Sequence, residues 1–204
     1  MRVSNLCIVV SAPSGSGKST IINRLLAEDD RFLFSVSTTT RPIRTGEVHG
    51  KHYYFVKEEE FRSLIECDGC IEWNRVHGNL YGITKKEIDR IQQEGRIPIF
   101  DVDVQGADVL RKVLDYAVFI FIIPPSRKEL EHRLRNRKTD SEEQIRIRLA
   151  NSIEEIKKYD LYDYVIINND IDVAVAQMKA IATAELCSKE RVTKTIRSIV
   201  EDIS

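Results

Sequence analysis

Apolar residues in this chain gather into short continuous runs, separated by stretches in which apolar positions recur every three or four residues. A continuous run of about four to eight apolar residues is typical of a strand that is buried on both faces of a parallel sheet. Four runs have this character: residues 6–11, 97–102, 117–123 and 164–168. Helical periodicity is found near residues 18–28, 84–94, 104–114, 126–136, 141–159 and 171–187.

This alternation predicts an α/β protein whose parallel sheet is covered by helices on both faces. In such folds the ligand binds in the crevice at the carboxyl ends of the strands. The stretch from about residue 35 to 83 interrupts the alternation, because it offers only short strand-like pieces at 53–56 and 71–73 and one helix near 58–67. We interpret this stretch as an inserted, small mixed β subdomain. It would place a second substrate over the one that binds in the crevice of the parallel sheet.

The segment 11–20, which directly follows the first predicted strand, reads Ser-Ala-Pro-Ser-Gly-Ser-Gly-Lys-Ser-Thr. A glycine-rich loop between a buried strand and a helix, closed by Lys-Ser, is typical of the phosphate-binding loop of nucleoside-triphosphate enzymes. Lys18 is suited to the outer phosphates and the Ser19 hydroxyl to Mg2+. The usual first glycine of this motif is Ala12 here, which is small enough to be accommodated. We therefore predict a site for ATP or GTP.

Composition and charge narrow the classes of partner. The 204 residues suit one domain with a small insert, and 31% of them are charged, which indicates a globular chain. A net charge of −1 gives no general attraction to nucleic acid or to an anionic membrane. No stretch reaches the length of a membrane helix, and no signal peptide is recognised, so a cytoplasmic location is expected.

Four cysteines, at positions 7, 67, 70 and 187, are expected to be reduced thiols in such a location. Cys67 and Cys70 have the C-x-x-C spacing of zinc and redox sites, but they lack a second pair of ligands at metal spacing. A turn at Asp68-Gly69, between a helix and a strand, is the favoured interpretation. After residue 187, apolar positions recur on one helical face, which either packs on the chain's own core or makes a subunit contact.

A second phosphate site is predicted in the insert. Arg41 and Arg44 lie in one turn, where Pro42 disfavours helix. Two guanidinium groups held on one loop suit a phosphate dianion, because each donates paired charge-assisted hydrogen bonds. Tyr53 and Tyr81 offer neutral phenolic donors. The alternative is a solvated surface turn with no ligand.

Candidates for reading a purine base are Ser37, Glu72 and Asp103. A guanine edge presents two adjacent donors that one carboxylate accepts together, whereas adenine would leave the carboxylate unpaired, at a cost on the order of 1–3 kcal/mol. Period-two alternation places Glu72 opposite in direction to Ile71 and Trp73. Glu72 is alternatively an ordinary exposed strand residue, and Asp103 is alternatively the cap of the next helix.

Asp101 ends the apolar run at 97–102, where nucleotide kinases hold an acidic group near Mg2+. Because Asp101 and Asp103 are two residues apart, an extended chain would point both carboxylates towards the crevice.

Further along, residues 126–148 carry eight basic and five acidic side chains, and residues 141–144 read as a capping box. Two basic helices joined by a hinge favour a lid that closes over the transferring phosphates; a solvated helix pair with ion pairs is the alternative.

Several segments together resemble the guanylate kinases, and the match runs in order from about residue 5 to 187. They are residues 12–19, 37–42, 46–51, 71–73, 78–82, 101–106 and 124–126, with Arg133-Leu134, Arg137 and Arg148. The resemblance implies a P-loop fold with three parts: a core (about 1–34, 84–125 and 160–204), a GMP-binding insert (about 35–83) and a lid (about 126–159).

The resemblance also implies roles for individual residues. Catalysis would fall to Lys18, Asp101, Arg137 and Arg148, with Ser19 and Asp101 supporting Mg2+. GMP would be held by Ser37, Arg41, Arg44, Tyr53, Glu72, Tyr81 and Asp103. ATP would be held by Ala12, Pro13, Ser14, Gly15, Ser16, Gly17, Lys18, Ser19, Thr20, Arg133 and Asn168, the last two near adenine.

The implied reaction is transfer of the γ-phosphoryl group of MgATP to GMP, and to dGMP, in purine nucleotide metabolism, by a monomer or homodimer that needs neither nucleic acid nor membrane. One position departs from the pattern, since Ile83 stands where a guanine-contacting hydroxyl is expected and Thr84 follows it. Either Thr84 substitutes or one hydrogen bond to the base is lost. Two rival functions are a noncatalytic guanylate-kinase-like binding module and a small-molecule kinase with a sugar-phosphate acceptor.

Overall fold

A computed structural model describes residues 6–76, 78–136 and 141–203. Within them the strands are β1 (Cys7–Ser11), β2 (Phe32–Phe34), β3 (Thr38–Thr39), β4 (Tyr54–Phe55), β5 (Cys70–Val76), β6 (Asn79–Thr84), β7 (Ile97–Asp101), β8 (Ala117–Ile123) and β9 (Tyr164–Ile167). The helices are α1 (Lys18–Glu28), α2 (Glu58–Glu66), α3 (Lys85–Gln93), α4 (Val104–Val113), α5 (Arg127–Asn136), α6 (Glu142–Ile156), α7 (Ile171–Leu186) and α8 (Lys189–Ile203). These helices include none that is long and apolar enough to cross a membrane.

Five strands form a parallel sheet in the order β2-β7-β1-β8-β9. Its central strand β1 is buried throughout, with Ile8 and Val10 in the cluster that includes α1 and α7. Cys7 and Val9 belong to the opposite cluster, which includes residues of α3 and α4. This alternation confirms the predicted sheet with helices on both faces, because every second side chain of a strand points to the same face.

The order of the strands creates the crevice. The chain leaves β1 through α1 and continues to the edge strand β2, whereas α4 leads from β7 across to β8 on the other side of β1. The connections therefore diverge between β1 and β7, and a gap opens at the carboxyl ends of these two strands. The phosphate loop follows β1, and Asp101 ends β7.

A second, mixed sheet has the order β4-β3-β6-β5, in which only β3 and β4 pair in parallel. Phe61 of α2, with Cys70 and Leu80, forms its small buried cluster. The predicted turn between α2 and β5 is present, with Asp68 at a φ of 54°. A register shift between Cys70 and Glu72 interrupts the simple alternation that the sequence predicts in β5.

Helices α5 and α6 pack on each other through Leu130, Leu134, Ile145 and Leu149. The predicted capping box at the start of α6 is confirmed, since the side chains and backbone N–H groups of Ser141 and Gln144 bond reciprocally. The predicted hinge falls largely on residues 137–140, which lie outside the described residues.

The predicted final helix is α8; its Arg191 donates to the Tyr116 carbonyl (2.8 Å), while Ile196 and Ile199 are exposed.

Candidate active site

The phosphate loop has the backbone that its glycines require. Gly15 and Gly17 both have a φ of +90°, a left-handed conformation that favours glycine. A Cβ at Gly17 would lie 2.4 Å from Asn168 Nδ2, and one at Gly15 would lie 3.1 Å from the side chains of Leu130 and Leu134. The side chains of Asn168, Leu130 and Leu134 therefore pack closely against the loop. The first N–H groups of α1 receive no hydrogen bond from a capping side chain, and they are suited to binding an anion.

The side chains of Arg133 and Asn168 both donate hydrogen bonds to the backbone of this loop. The Ser16 carbonyl accepts hydrogen bonds from Asn168 Nδ2 (2.7 Å) and from Arg133 Nη1 (3.2 Å). Arg133 Nη2 also donates to the Asn168 carbonyl (3.0 Å), and its Nε pairs with Glu129 (2.8 Å). The two residues predicted to lie near adenine thus contact the loop itself, and their proximity to adenine stays a prediction.

Lys18 and Asp101 meet at the crevice. Lys18 Nζ lies 2.7 Å from Asp101 Oδ1 and also donates to the Val102 carbonyl. This pairing follows from the sheet, because Val10 at the end of β1 is in register with Asp101 at the end of β7. The side chains are 17% and 23% exposed, so a ligand can still reach the ammonium group.

A cavity of about 280 Å³ is lined by the phosphate loop, Asp103 and Glu155. A larger cavity of about 600 Å³ lies among residues of α3, α4 and β5 and contains none of the phosphate loop. The smaller cavity is the candidate nucleoside-triphosphate site, because the phosphate loop and Lys18 line it.

Glu155 is a site residue that the sequence analysis missed. It comes from α6, and the same helix reaches the loop through Ser152, whose hydroxyl donates to the Ser14 carbonyl (3.4 Å). Burial raises the pKa of Glu155, and the backbone N–H of Ser14 opposes this shift. No local pattern in α6 distinguishes this glutamate from its neighbours, so only the packing of the helix reveals it.

Three of the four predicted ligands of the acceptor phosphate lie together. The Arg41 guanidinium is 5.5 Å from the ring centre of Tyr53. The rings of Tyr53 and Tyr81 are 5.9 Å apart. Ion pairing with Glu47 raises the pKa of Arg41, and a hydrogen bond with the Tyr81 side chain contributes to the same shift. Arg44 is exposed at the edge of this group.

Glu47 holds the arginine turn, a role that the sequence analysis did not assign. Its carboxylate accepts from Arg41 Nη2 (2.7 Å) and Nη1 (3.0 Å), and from the backbone N–H of Arg44 (2.8 Å). These bonds, that from Arg41 first, lower the pKa of Glu47 to about 2. The carboxylate is therefore ionised throughout the physiological range, and it orients the Arg41 guanidinium.

Two of the three predicted base-reading residues, Glu72 and Asp103, influence each other electrostatically. Burial raises the pKa of Glu72, and the charge of Asp103 raises it further, so the two carboxylates interact. Gly82 lets β6 approach β5 at this point, because a Cβ there would lie 2.6 Å from the Glu72 carbonyl. Ser37 is half-buried between β2 and β3, and its carbonyl accepts from the Tyr54 N–H (2.9 Å).

The helix-cap interpretation of Asp103 is confirmed, since Oδ1 accepts from the Gly106 N–H (2.7 Å) at the start of α4, and its role in reading the base stays a prediction. The chain is no longer in a strand at Asp103, so its side chain and that of Asp101 serve different partners. Asp101 pairs with Lys18, whereas Asp103 caps α4 and its charge raises the pKa of Glu72.

Ile83 stands where the family resemblance leads us to expect a hydroxyl that contacts guanine. Ile83 is the cross-strand partner of Glu72, is 3% exposed, and packs in the cluster with Ile88 and Phe100. The Thr84 hydroxyl accepts from the Glu87 N–H (3.2 Å) as the cap of α3. An alkyl group therefore stands beside the carboxylate, and the neighbouring hydroxyl is engaged in the helix cap.

The two predicted lid arginines are only partly accounted for. Arg137 lies outside the described residues, and Arg148 is half-buried on α6. For Mg2+, the phosphate loop offers the Ser19 hydroxyl and β7 the Asp101 carboxylate. These hard oxygen donors fit Mg2+, which typically combines one or two protein oxygens with water and substrate phosphates.

The half-buried carboxylate of Glu72 predicts a measurable dependence of stability on pH. Because folding raises its pKa above the ordinary value, folded protein binds more protons than unfolded protein as the pH rises past that value, and stability falls over this window. We expect Glu72→Gln to raise Tm at pH 8 by about 2–4 °C, the shift that a gain of about 1 kcal/mol produces in a chain of this length. Thermal unfolding measured from pH 8 towards pH 5 should show this gain shrinking.

Glu66→Gln, at an exposed position on α2, is the control and should leave Tm nearly unchanged across the same range. A gain for Glu72→Gln that does not depend on pH would contradict the explanation from burial of charge.

Known proteins resemble this chain over nearly its whole length. The model of the guanylate kinase family matches residues 4–185. The chain is 48% identical over 187 residues to the guanylate kinase of Nitratidesulfovibrio vulgaris, covering 92% of this chain and 90% of that protein. It is 46% identical over 187 residues to the guanylate kinase of Rhizobium meliloti, with coverages of 91% and 85%.

The fold is likewise that of a solved member. The crystal structure of guanylate kinase from Anaplasma phagocytophilum superimposes with a TM-score of 0.68 at 34% identity, covering 94% of this chain and 91% of that one. Sequence and fold agree with the resemblance that the phosphate loop, the arginine turn and the Ile-Glu-Trp segment first indicated. This chain belongs to the guanylate kinase family.

Proposed function

We propose that this chain transfers the γ-phosphoryl group of ATP to GMP, giving ADP and GDP, with Mg2+ as cofactor. The observation that carries the proposal is that one molecule contains two separate groups of cationic side chains and N–H donors, each suited to a phosphate. One is the phosphate loop with Lys18, at the carboxyl end of β1. The other is the Arg41 turn of the mixed sheet, which also bears Glu72.

The parts of the chain divide the work in this proposal. The core (about 1–34, 84–125 and 160–204) holds ATP, the insert (about 35–83) holds GMP, and the lid (about 126–159) closes over both. The packing of α5 and α6 on the phosphate loop, through Leu134 and Ser152, supports the coupling of lid and donor site. Closure would exclude water, which otherwise competes as phosphoryl acceptor.

On the acceptor side, Arg41, Arg44, Tyr53 and Tyr81 bind the GMP phosphate. Glu47 stabilises Arg41 in its orientation, so that the guanidinium is preorganised when the dianion arrives. Ser37, Glu72 and Asp103 read the base, where the carboxylates accept from the guanine donors. The effect of the Asp103 charge on Glu72 supports this arrangement, because hydrogen bonds from guanine would relieve the repulsion between the two carboxylates.

On the donor side, an oxygen of the GMP phosphate attacks the γ-phosphorus of ATP in line with the leaving ADP. Lys18, Arg137 and Arg148 neutralise charge on the transferring group, and catalysis consists of positioning and electrostatic stabilisation. Mg2+, supported by Ser19 and Asp101, supplies further charge neutralisation when bound. Asp101 also holds the Lys18 ammonium at the mouth of the loop.

Release of ADP, measured with a coupled assay against GMP, dGMP, AMP and a panel of sugar phosphates, tests the proposal. We expect turnover with GMP and with dGMP, and little with AMP or a sugar phosphate. No turnover with any acceptor would favour a noncatalytic binding module, and preference for a sugar phosphate would favour a different kinase.

We propose a cytoplasmic location and a monomeric or homodimeric state; the net charge of −1 supports an enzyme that needs no nucleic acid or membrane.

The base pocket makes its own prediction. Glu72→Ala removes the carboxylate that accepts from guanine, so the preference for GMP over AMP, expressed as the ratio of kcat/KM, should narrow by about 10- to 100-fold. Steady-state kinetics with both nucleotides provide the measurement. Glu66→Ala, on the exposed face of α2, is the control; an unchanged preference in Glu72→Ala would remove Glu72 from the base pocket.

A further inference from the structure

Glu87 of α3 is a buried carboxylate that the mechanism above does not use. It is 2% exposed, and both of its oxygens accept two hydrogen bonds each. Oε1 accepts from the Val36 N–H (3.1 Å) and from Arg90 Nη2 (3.0 Å). Oε2 accepts from the Tyr54 hydroxyl (3.1 Å) and from Arg90 Nε (2.9 Å).

These partners come from different parts of the molecule. Arg90 lies on α3, one turn after Glu87. Val36 lies in the segment by which the chain passes from β2 of the parallel sheet to β3 of the mixed sheet, and Tyr54 lies in β4. The chain returns at Thr84, whose hydroxyl accepts from the Glu87 N–H (3.2 Å). Glu87 therefore contacts both crossings between the two sheets.

Each contact on the mixed-sheet side is one residue away from a proposed GMP ligand. Val36 precedes Ser37, and Tyr54 follows Tyr53. The backbone joins the same two segments, since the Tyr54 N–H donates to the Ser37 carbonyl (2.9 Å). Fixing Val36 and Tyr54 therefore also fixes where the Ser37 hydroxyl and the Tyr53 ring can lie.

The chemistry of the site points to positioning rather than to stability alone. A buried ion pair costs desolvation that its attraction only partly repays, and apolar residues of similar volume often stabilise a fold equally well. What the carboxylate adds is directional: four donors in fixed places select one arrangement of the segments that carry them. Arg90, which is 40% exposed, pairs with this buried carboxylate at 2.9 Å and compensates its charge.

We propose that Glu87 is a positioning residue for the acceptor half of the reaction. It fixes Ser37 and Tyr53 for GMP by holding residues 36–37 and β4 against α3. The inference rests on the proposed function, because it assumes that the mixed sheet binds GMP. It assigns no contact between Glu87 and the substrate.

Steady-state kinetics of Glu87→Ala test this role. We expect KM for GMP to rise about tenfold, equivalent to about 1.4 kcal/mol, while KM for ATP stays within about twofold, because the phosphate loop has no contact with Glu87 among those described. The preference for GMP over AMP should narrow, since Ser37 is one of the base-reading residues. Glu87→Gln keeps an oxygen that can accept from Val36, and it should restore part of the loss.

Glu94→Gln is the matched control. Glu94 pairs with the same arginine, at 2.6 Å from Arg90 Nη1, but it is exposed and belongs to the helix end rather than to the junction. This variant should leave both KM values unchanged. A purely structural role for Glu87 predicts a lower Tm with an unchanged ratio of the two KM values, and that result would overturn the proposal.

Tyr54→Phe decides the matter if Glu87→Ala fails to fold, because it removes one hydroxyl and leaves the ion pair with Arg90 in place. Calorimetry should then show GMP binding about threefold weaker, and unchanged binding would overturn the proposal. Wild-type protein without GMP turnover would instead contradict the proposed function. Wild-type turnover combined with an unaltered KM for GMP in Glu87→Ala would contradict this inference alone.

Discussion

Lys18→Met is expected to lower kcat by about 10²- to 10³-fold, the cost of removing one charged donor from a preorganised transition-state site. Lys18 pairs with Asp101 at 2.7 Å, and its side chain lines the cavity that contains the phosphate loop. GMP binds elsewhere in the proposal, so its dissociation constant should be nearly unchanged. Single-turnover kinetics and calorimetry with GMP measure the two effects separately.

Lys179→Met provides the control, because Lys179 pairs with Glu28 on the surface of the core, away from the cavity that holds the phosphate loop. Its turnover should equal that of the wild type. Normal turnover in Lys18→Met would refute the assignment of the phosphate loop as the donor site.

Arg41→Met is expected to raise KM for GMP by about 100-fold, the scale seen when one partner of a close charge pair is removed. Among the described residues of the arginine turn, Arg41 is the one cation that contacts both Glu47 and the face of the Tyr53 ring. The neutral hydroxyls of the neighbouring tyrosines cannot replace its positive charge. KM for ATP should change little. Kinetics with each substrate varied in turn provide the measurement.

Arg75→Met is the matched control for this experiment. Arg75 belongs to the same mixed sheet but pairs with Glu58 at 3.2 Å on its exposed side. GMP kinetics should be unaffected there. If Arg41→Met and Arg75→Met behaved alike, the acceptor phosphate would have to bind outside the arginine turn.

Much of the parallel sheet could be predicted from local pattern. Strands β1, β7, β8 and β9 are apolar on both faces, so their runs stand out, and each lies within one or two residues of the predicted bounds. Strand β2 was missed because it has three residues and exists through its pairing with β7. Strands β3 and β6 were missed for a related reason: β3 has two residues, and β6 contains Gly82, which reads locally as a turn.

The candidate site divides in the same way. Residues with a distinctive local context, such as Lys18 in its glycine-rich loop and Arg41 beside Pro42, were identified from the sequence. Glu47, Glu87 and Glu155 were not, because each acts on a group that is brought to it by folding. A glutamate carries no local sign of the donor that it will meet.

The class of fold, the phosphate loop and the family could all be predicted without coordinates, because they depend on the order of residue types along short stretches. Only the folded chain shows which donors each carboxylate meets: Asp101 meets Lys18 through the register of β1 and β7, and Glu87 meets Val36 and Tyr54 through the packing of α3 on the junction. The physical reason is distance. Hydrogen bonds and ion pairs act over a few ångströms, and only the folded chain brings residues that are far apart in the sequence within that range.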